Sequence, residues 1–479
     1  MKKLFALCLI GLSFYPIYAQ KTTELPMPPE FAKAITKGTR TTNGFPGKNY
    51  WQNHSDYQIK ASLDPATRIL KGTETIVYYN QSPDELTQLV LRLYPDIFKR
   101  GFQDDGSQGI AEADKNETGV LLSKVLLNGK PAKTQRKGTN LFLPLAQNLL
   151  PNSQITLEID WQYTLPKTTH IREGTYFNTS FMVAYWYPQM AVYDDIDGWD
   201  ELDYTGQQEF YNDFSNFDVE ITMPNSHLVW ATGVWQNPDE ILKTEISDRY
   251  RKALNSDEVI KIVTKEDHKK GILTLGKENN TFRYKAANVP DFAFSASDTY
   301  LWDMASVVVD DSTKRRTVVG AVYHPSSRDF REVTSYARQC LNYFSHTLPG
   351  VPFPYPSLTV FNGDGGMEFP MMVNDGSFGD EQAAEVTAHE IAHTYFPFYM
   401  GINERKYAWM DEGFAQFLPN DMEFFINERT FKPQQDNAEW FIGFISRAND
   451  APLMMPSYKL SSDVYTISAY IRPSQAYAG

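Results

Sequence analysis

The chain has 479 residues, 42% hydrophobic, 14% aromatic and 22% charged, a globular composition with material for two or three domains, which excludes a disordered or fibrous protein. Its formal net charge of −14 repels polyanions and argues against nucleic acid and anionic membranes as partners. With only two cysteines, Cys8 and Cys340, a disulfide framework is also excluded.

Met1-Lys2-Lys3, an apolar run from Leu4 to Phe14 and Ile17-Tyr18-Ala19 read as a secretory signal over residues 1–19, too short to span a membrane, with cleavage after Ala19. Cleavage removes Lys2, Lys3 and Cys8, so the mature chain is expected to be more acidic still. Its expected place is the periplasm or the extracellular medium, without stable membrane insertion. From Gln20 to about Trp51 the chain is polar and Pro-rich, as of a segment wrapping a surface. Then Tyr57, Ile59, Ala61 and Leu63 alternate, Asp64-Pro65-Ala66-Thr67 turns, and Thr73 to Tyr79 returns as a hairpin. Further strands are expected at Leu89–Tyr94, Leu121–Leu127 before Asn128-Gly129, Phe217–Met223, Leu228–Thr232 and Thr281–Ala286, with strict alternation over Ile155, Leu157, Ile159, Trp161 and Tyr163. These predict an antiparallel all-β domain over residues 20–298, with few helical periods.

Within it, Phe181 to Asp200 is dense in aromatics and then acids. Asp195-Ile196-Asp197-Gly198 hints at calcium, but the bidentate Glu of a calcium loop is missing, and a packed Ω-like loop facing a cleft is the expectation. Beyond residue 298 the pattern changes. Val307–Val309 and Val318–Tyr323 read as buried strands. Val333, Tyr336, Ala337, Cys340, Leu341 and Phe344 then recur at three and four, predicting a helix over about 328–347 with Cys340 in its core face. Strands followed by helices make residues 299–479 an α+β, thermolysin-like half.

Two helices in that half carry the chemistry. In His389-Glu390-Ile391-Ala392-His393 the two imidazoles stand four residues apart, stacked on one helix face about 5–6 Å apart, able to grip one ion. Zinc at a catalytic site takes three protein donors and leaves the fourth position to water, and two imidazoles with a carboxylate favour it over other divalent ions. Glu412, eighteen residues past His393 in Trp409-Met410-Asp411-Glu412-Gly413-Phe414, suits the third donor, since a carboxylate is rarely kept among apolar residues without a partner. Glu390 points toward the open position, suited to take a proton there. The expected cofactor is one Zn2+ per chain.

At these residues the chain resembles the aminopeptidase N family of gluzincin zinc metallopeptidases. The family's signature pairs HExxH, eighteen residues and Glu with an upstream Gly-x-Met-Glu-Asn strand. Here that strand reads Gly365-Gly366-Met367-Glu368-Phe369, with Phe369 replacing the Asn. The resemblance implies that Gly365, Gly366 and Met367 line the substrate, that Glu368 pairs with its free α-ammonium, and that an earlier acid, for which Glu209 is the candidate, assists. It also implies a tyrosine that steadies the tetrahedral intermediate; Tyr470 matches best, with Tyr465 and Tyr477 as alternatives. Family members begin with a large β domain and usually continue into a helical domain over the cleft, which this chain is expected to lack. Peptides are the implied substrates. An endopeptidase of the thermolysin type and a non-catalytic zinc-containing binding protein are the competing readings.

Overall fold

The computed structural model describes residues 27–168, 170, 172–276, 278–422, 433–446 and 451–478. The leader and its cleavage point after Ala19 lie outside the described residues. The chain divides into two compact units, Met1–Tyr50 and Trp51–Gly479. In the first, Pro29–Lys37 forms a helix where the sequence suggested only a wrapping segment. Pro29 is tolerated at the first helical position, and Gly38, at φ 75°, closes the end in the left-handed region.

The second unit is richer in strand than in helix. Its largest sheet has eight strands, built around His54–Asp64, Ile69–Asn80 and Ser153–Thr164. The alternating residues do what their spacing predicts: Tyr57, Ile59, Ala61 and Leu63 are all buried, as are Ile155, Leu157, Ile159, Trp161 and Tyr163. Asp64 fixes the hairpin turn by accepting from the Ala66 amide and the Thr67 hydroxyl.

The sheet departs from a purely antiparallel one. His54–Asp64 runs parallel to Ser215–Pro224, pairing Tyr57 with Phe217 and Ile59 with Val219. About 150 residues of intervening chain make that crossover, which a two-residue turn could not. A second difference lies in 238–270, where Pro238–Ile241, Thr244–Ala253 and Lys265–Lys270 are helical. These segments are short and mostly polar, so apolar periodicity is faint. Thr264 and Asp267 cap the last of them reciprocally.

The aromatic and acidic insert is not an Ω-like loop. Ser180–Val183 and Gln189–Met190 are strands, and Tyr193–Asp194 with Gly198–Trp199 closes a small hairpin. Its rings are core: the Trp186 indole donates to the Phe292 carbonyl at 2.8 Å, and Tyr187 donates to Asp291 at 2.8 Å. Asp194 accepts from the Ile196 and Asp197 amides, so these acids shape a turn, and Asp197 pairs with Lys406.

A six-stranded sheet follows, in the order Ile260–Val263, Leu301–Asp310, Arg315–Tyr323, Ser357–Asn362, Met372–Asp375 and Gly366–Phe369. The helix Phe330–His346 packs on it through Val333, Ala337, Cys340, Leu341 and Phe344, all buried. Burial pushes the Cys340 thiol well up, as befits a core residue. The edge strand Gly366–Phe369 sets Glu368 opposite Val373.

Not every buried group favours the fold at neutral pH. Burial pushes the Glu173 carboxyl up to about 8, although Tyr163 donates to it at 3.0 Å. Between the ordinary carboxyl range and about pH 8 it holds a proton in the folded chain that the unfolded chain releases, so stability falls as pH rises through that window. Denaturant titrations at pH 5 and 8 should show Glu173→Gln reducing this loss, by at most about 1.4 kcal/mol per pH unit; an unchanged slope would contradict it.

Candidate metal centre

The helix Asp380–Ala392 presents His389 and Glu390, with His393 at its C-terminal end. The helix ends there because the chain kinks at Phe396 (φ −138°, ψ 107°). Pro397 lacks an amide proton and disfavours helical geometry in the residue before it. Glu412 opens the helix Glu412–Phe417, which packs against the first. Gly413 permits a close neighbour, since a Cβ there would lie 2.6 Å from Pro473 Cβ. The Pro473 ring and the Ala469 carbonyl thus set the segment carrying Tyr470 against the second helix.

Three donor atoms converge. His389 Nε2 and His393 Nε2 are 3.2 Å apart, and Glu412 Oε2 stands 3.3 Å from the first and 3.4 Å from the second. Donors tetrahedrally placed about 2.0–2.1 Å from a zinc ion would be about 3.3 Å from one another. The triangle fits such an ion. Glu412 Oε2 is buried and makes no hydrogen bond among the described residues, which leaves its lone pairs directed at the same point.

His393 is held from behind. Its Nδ1–H donates to Asp411 Oδ1 at 2.6 Å, fixing the tautomer that leaves Nε2 free. Asp411 is fully buried, and the sequence reading gave it no role; its position beside Glu412 in the motif was the available signal. Asp411→Ala should weaken zinc binding about 10- to 100-fold, read by competition with a chromophoric chelator. Unchanged affinity would show that His393 is oriented by other contacts.

Buried acids crowd the site. Burial and then Glu368 drive the Glu390 carboxyl well above the usual range, and burial raises Glu368 to about 7. Burial opposes charge on His393, but Glu368, Asp411 and Glu412 outweigh it and raise its pKa. Burial would likewise raise Glu412, yet His393 and His389 draw it down. An excess of buried carboxylates around two imidazoles is a donor set that a divalent cation offsets.

The centre opens into a cavity of about 280 Å3 lined also by Glu390, Glu368, Met367, Gly366, Glu209 and Tyr470. Gly366 is required there: a Cβ would fall 2.4 Å from Glu390 Oε1. Gly365, at φ 74°, turns the chain into that strand. Glu209 meets Glu368, and Glu404 joins them, with one oxygen of each within 4.8 Å of the others. Arg172, absent from the sequence reading, grips Glu209 through two hydrogen bonds of 2.7 and 3.0 Å and donates to Met367 Sδ. Neither Arg172 nor Glu404 lies in a motif; only folding brings them in.

Of the three tyrosines, Tyr470 donates to Glu412 Oε1 and stacks on the His389 ring, centroids 6.0 Å apart. Tyr465 also lines the cavity. Tyr477 instead donates to the Trp409 carbonyl at 3.2 Å and stacks on Phe414.

Among the described residues no helix is long and apolar enough to cross a membrane. No protein-family model and no curated protein sequence matches the chain. Solved structures do. A variant of the M1 zinc metallopeptidase from Deinococcus radiodurans matches at 14% identity, over 91% of this chain and 84% of that one, with TM-score 0.57. The same enzyme without the substitution gives 15% identity, 91% and 83% coverage and TM-score 0.54. A variant bound to a Tyr-Ser-Ala substrate gives 14%, 91%, 84% and 0.54. This chain therefore shares the fold of M1 zinc metallopeptidases.

Proposed function

We propose that the protein is a zinc-dependent aminopeptidase that hydrolyses the N-terminal bond of peptides. One observation carries the reading: a donor triangle of zinc dimensions shares its cavity with Glu390 and with a carboxylate cluster centred on Glu368. His389, His393 and Glu412 would hold a zinc ion, which would supply a Lewis acid able to bring the pKa of water to about 7. Glu390 takes the proton of the attacking water and passes it to the leaving amine. The hydroxyl of Tyr470 turns from Glu412 to the oxyanion as negative charge develops there. Glu368 pairs with the substrate's α-ammonium, which sets the first peptide bond beside Glu390. Glu209, already neutralised by Arg172, shapes this pocket and adds little charge. The same reading removes residues 1–19 on export to the periplasm or beyond, and sets residues 20–298 and 299–479 as the β and catalytic domains.

The fold shared with M1 metallopeptidases supports a peptidase, as do the relatives' bound tripeptide and, in other structures, L-arginine and L-tryptophan. The test is hydrolysis of aminoacyl 4-nitroanilides against their N-acetylated counterparts. Release of nitroaniline from the free-amine compounds alone is expected. Equal rates on both would favour an endopeptidase, and turnover of neither would favour the binding protein.

A further inference from the structure

We infer that the protein carries a second cation site, for one monovalent metal ion stripped of its waters, in the recess between Glu368 and Glu404. The recess measures about 20 Å3, room for one water-sized body. Glu368 lines both this recess and the metal cavity, whereas Glu404 lines the recess alone. Pro290, Pro370, Pro397 and Phe398 make much of the remaining wall apolar.

Two polar side chains of that lining have no partner of their own. Glu404 is 7% exposed and takes part in no hydrogen bond or ion pair among the described residues. Tyr185 is likewise 7% exposed, and its hydroxyl makes no hydrogen bond among them. Its backbone is held at φ 56°, a conformation that costs a bulky residue energy and recurs at functional sites. No Lys, Arg or His lines the recess. The arginines nearby in chain or fold are committed elsewhere: Arg172 holds both oxygens of Glu209, and Arg405 reaches Asp200 at 3.1 Å and the Asp203 carbonyl at 2.6 Å. A carboxylate kept among apolar walls without a counter-charge is costly. One oxygen of Glu404 stands within 4.8 Å of one of Glu368, so a single ion can touch both.

Size and donors choose the ion. Calcium takes about six to eight oxygens and magnesium keeps several waters, and the recess has room for neither. Zinc favours imidazole and thiolate, which are absent from this lining. A bare sodium or potassium ion matches the space, the oxygen donors and the one charge that Glu404 leaves unmet.

The test uses the zinc-loaded full chain and thallium(I), a spectroscopic stand-in for potassium, followed by thallium NMR. One ion should bind per chain and be displaced by K+ or Na+ but not by choline. Glu404→Gln, of like shape without the charge, should weaken binding about tenfold or more, and Tyr185→Phe about threefold. Glu404→Gln should still hold one zinc per chain, which separates this site from the metal centre. The parent should also melt about 2–4 °C higher in KCl than in choline chloride of equal ionic strength, and Glu404→Gln should show no such difference. Neither readout depends on peptide hydrolysis, so failure here leaves the peptidase reading untouched. No saturable thallium binding, as when a proton or a water serves Glu404 instead, binding undiminished in either variant, or displacement by Mg2+ or Ca2+ in preference to K+ and Na+ would each overturn the proposal.

Discussion

Glu390→Gln is expected to lower kcat for aminoacyl anilides by about 10²–10⁴-fold, the usual worth of a positioned general base, while the protein keeps one zinc per chain. The two halves of this result follow from separate features. Glu390 is not among the three converging donors, so its amide analogue leaves the His389, His393 and Glu412 triangle intact. Its Oε2 is buried and unpartnered among the described residues, so no local hydrogen bond through that atom is lost on substitution. The amide has nearly the same shape and cannot accept the proton. Should Glu390→Gln lose the metal as well, the residue would be structural. Should it retain full activity, another group would be the base.

Glu368→Gln should be the next most costly change, lowering kcat/KM for free-amine substrates by about 30- to 5,000-fold, the range for breaking one buried charge pair. Three carboxylates gather there, but they are not equivalent. Arg172 holds both oxygens of Glu209, and Glu404 borders a separate small cavity together with Glu368. Glu368 alone faces both that recess and the metal cavity. The effect should depend on the substrate: an N-acetylated anilide, already poor, should lose nothing further in the variant, since the pair is absent in both. An equal loss on both substrates would mean that Glu368 acts on the edge strand and not on the ammonium.

Much of this was readable from the chain because the residues concerned are close in sequence or follow a period. Tyr57 to Leu63 and Ile155 to Tyr163 each bury one face of a strand, and alternation reveals that without knowledge of partners. His389 and His393 meet through one helical turn. Glu412 needed only room for a second helix. What could not be read depends on contacts between distant segments. The parallel pairing of His54–Asp64 with Ser215–Pro224 leaves no mark in either strand, whose alternation would serve an antiparallel neighbour equally. The grip of Arg172 on Glu209 joins residues 37 apart, and Glu404 reaches Glu368 only through the fold. Asp411 was visible but mute, because its task is set by the direction of one imidazole nitrogen. The insert at 181–200 misled by composition: its acids resembled a ligand loop, yet they form a hairpin turn and pair with Lys406.

The most direct test of the zinc centre is a titration of zinc into chelator-treated protein, with the rate of anilide hydrolysis followed at each addition. The rate should start near zero, rise in proportion to the metal and break sharply at one zinc per chain. Full activity in the metal-free protein, or zinc taken up to that point with no gain in rate, would contradict the account.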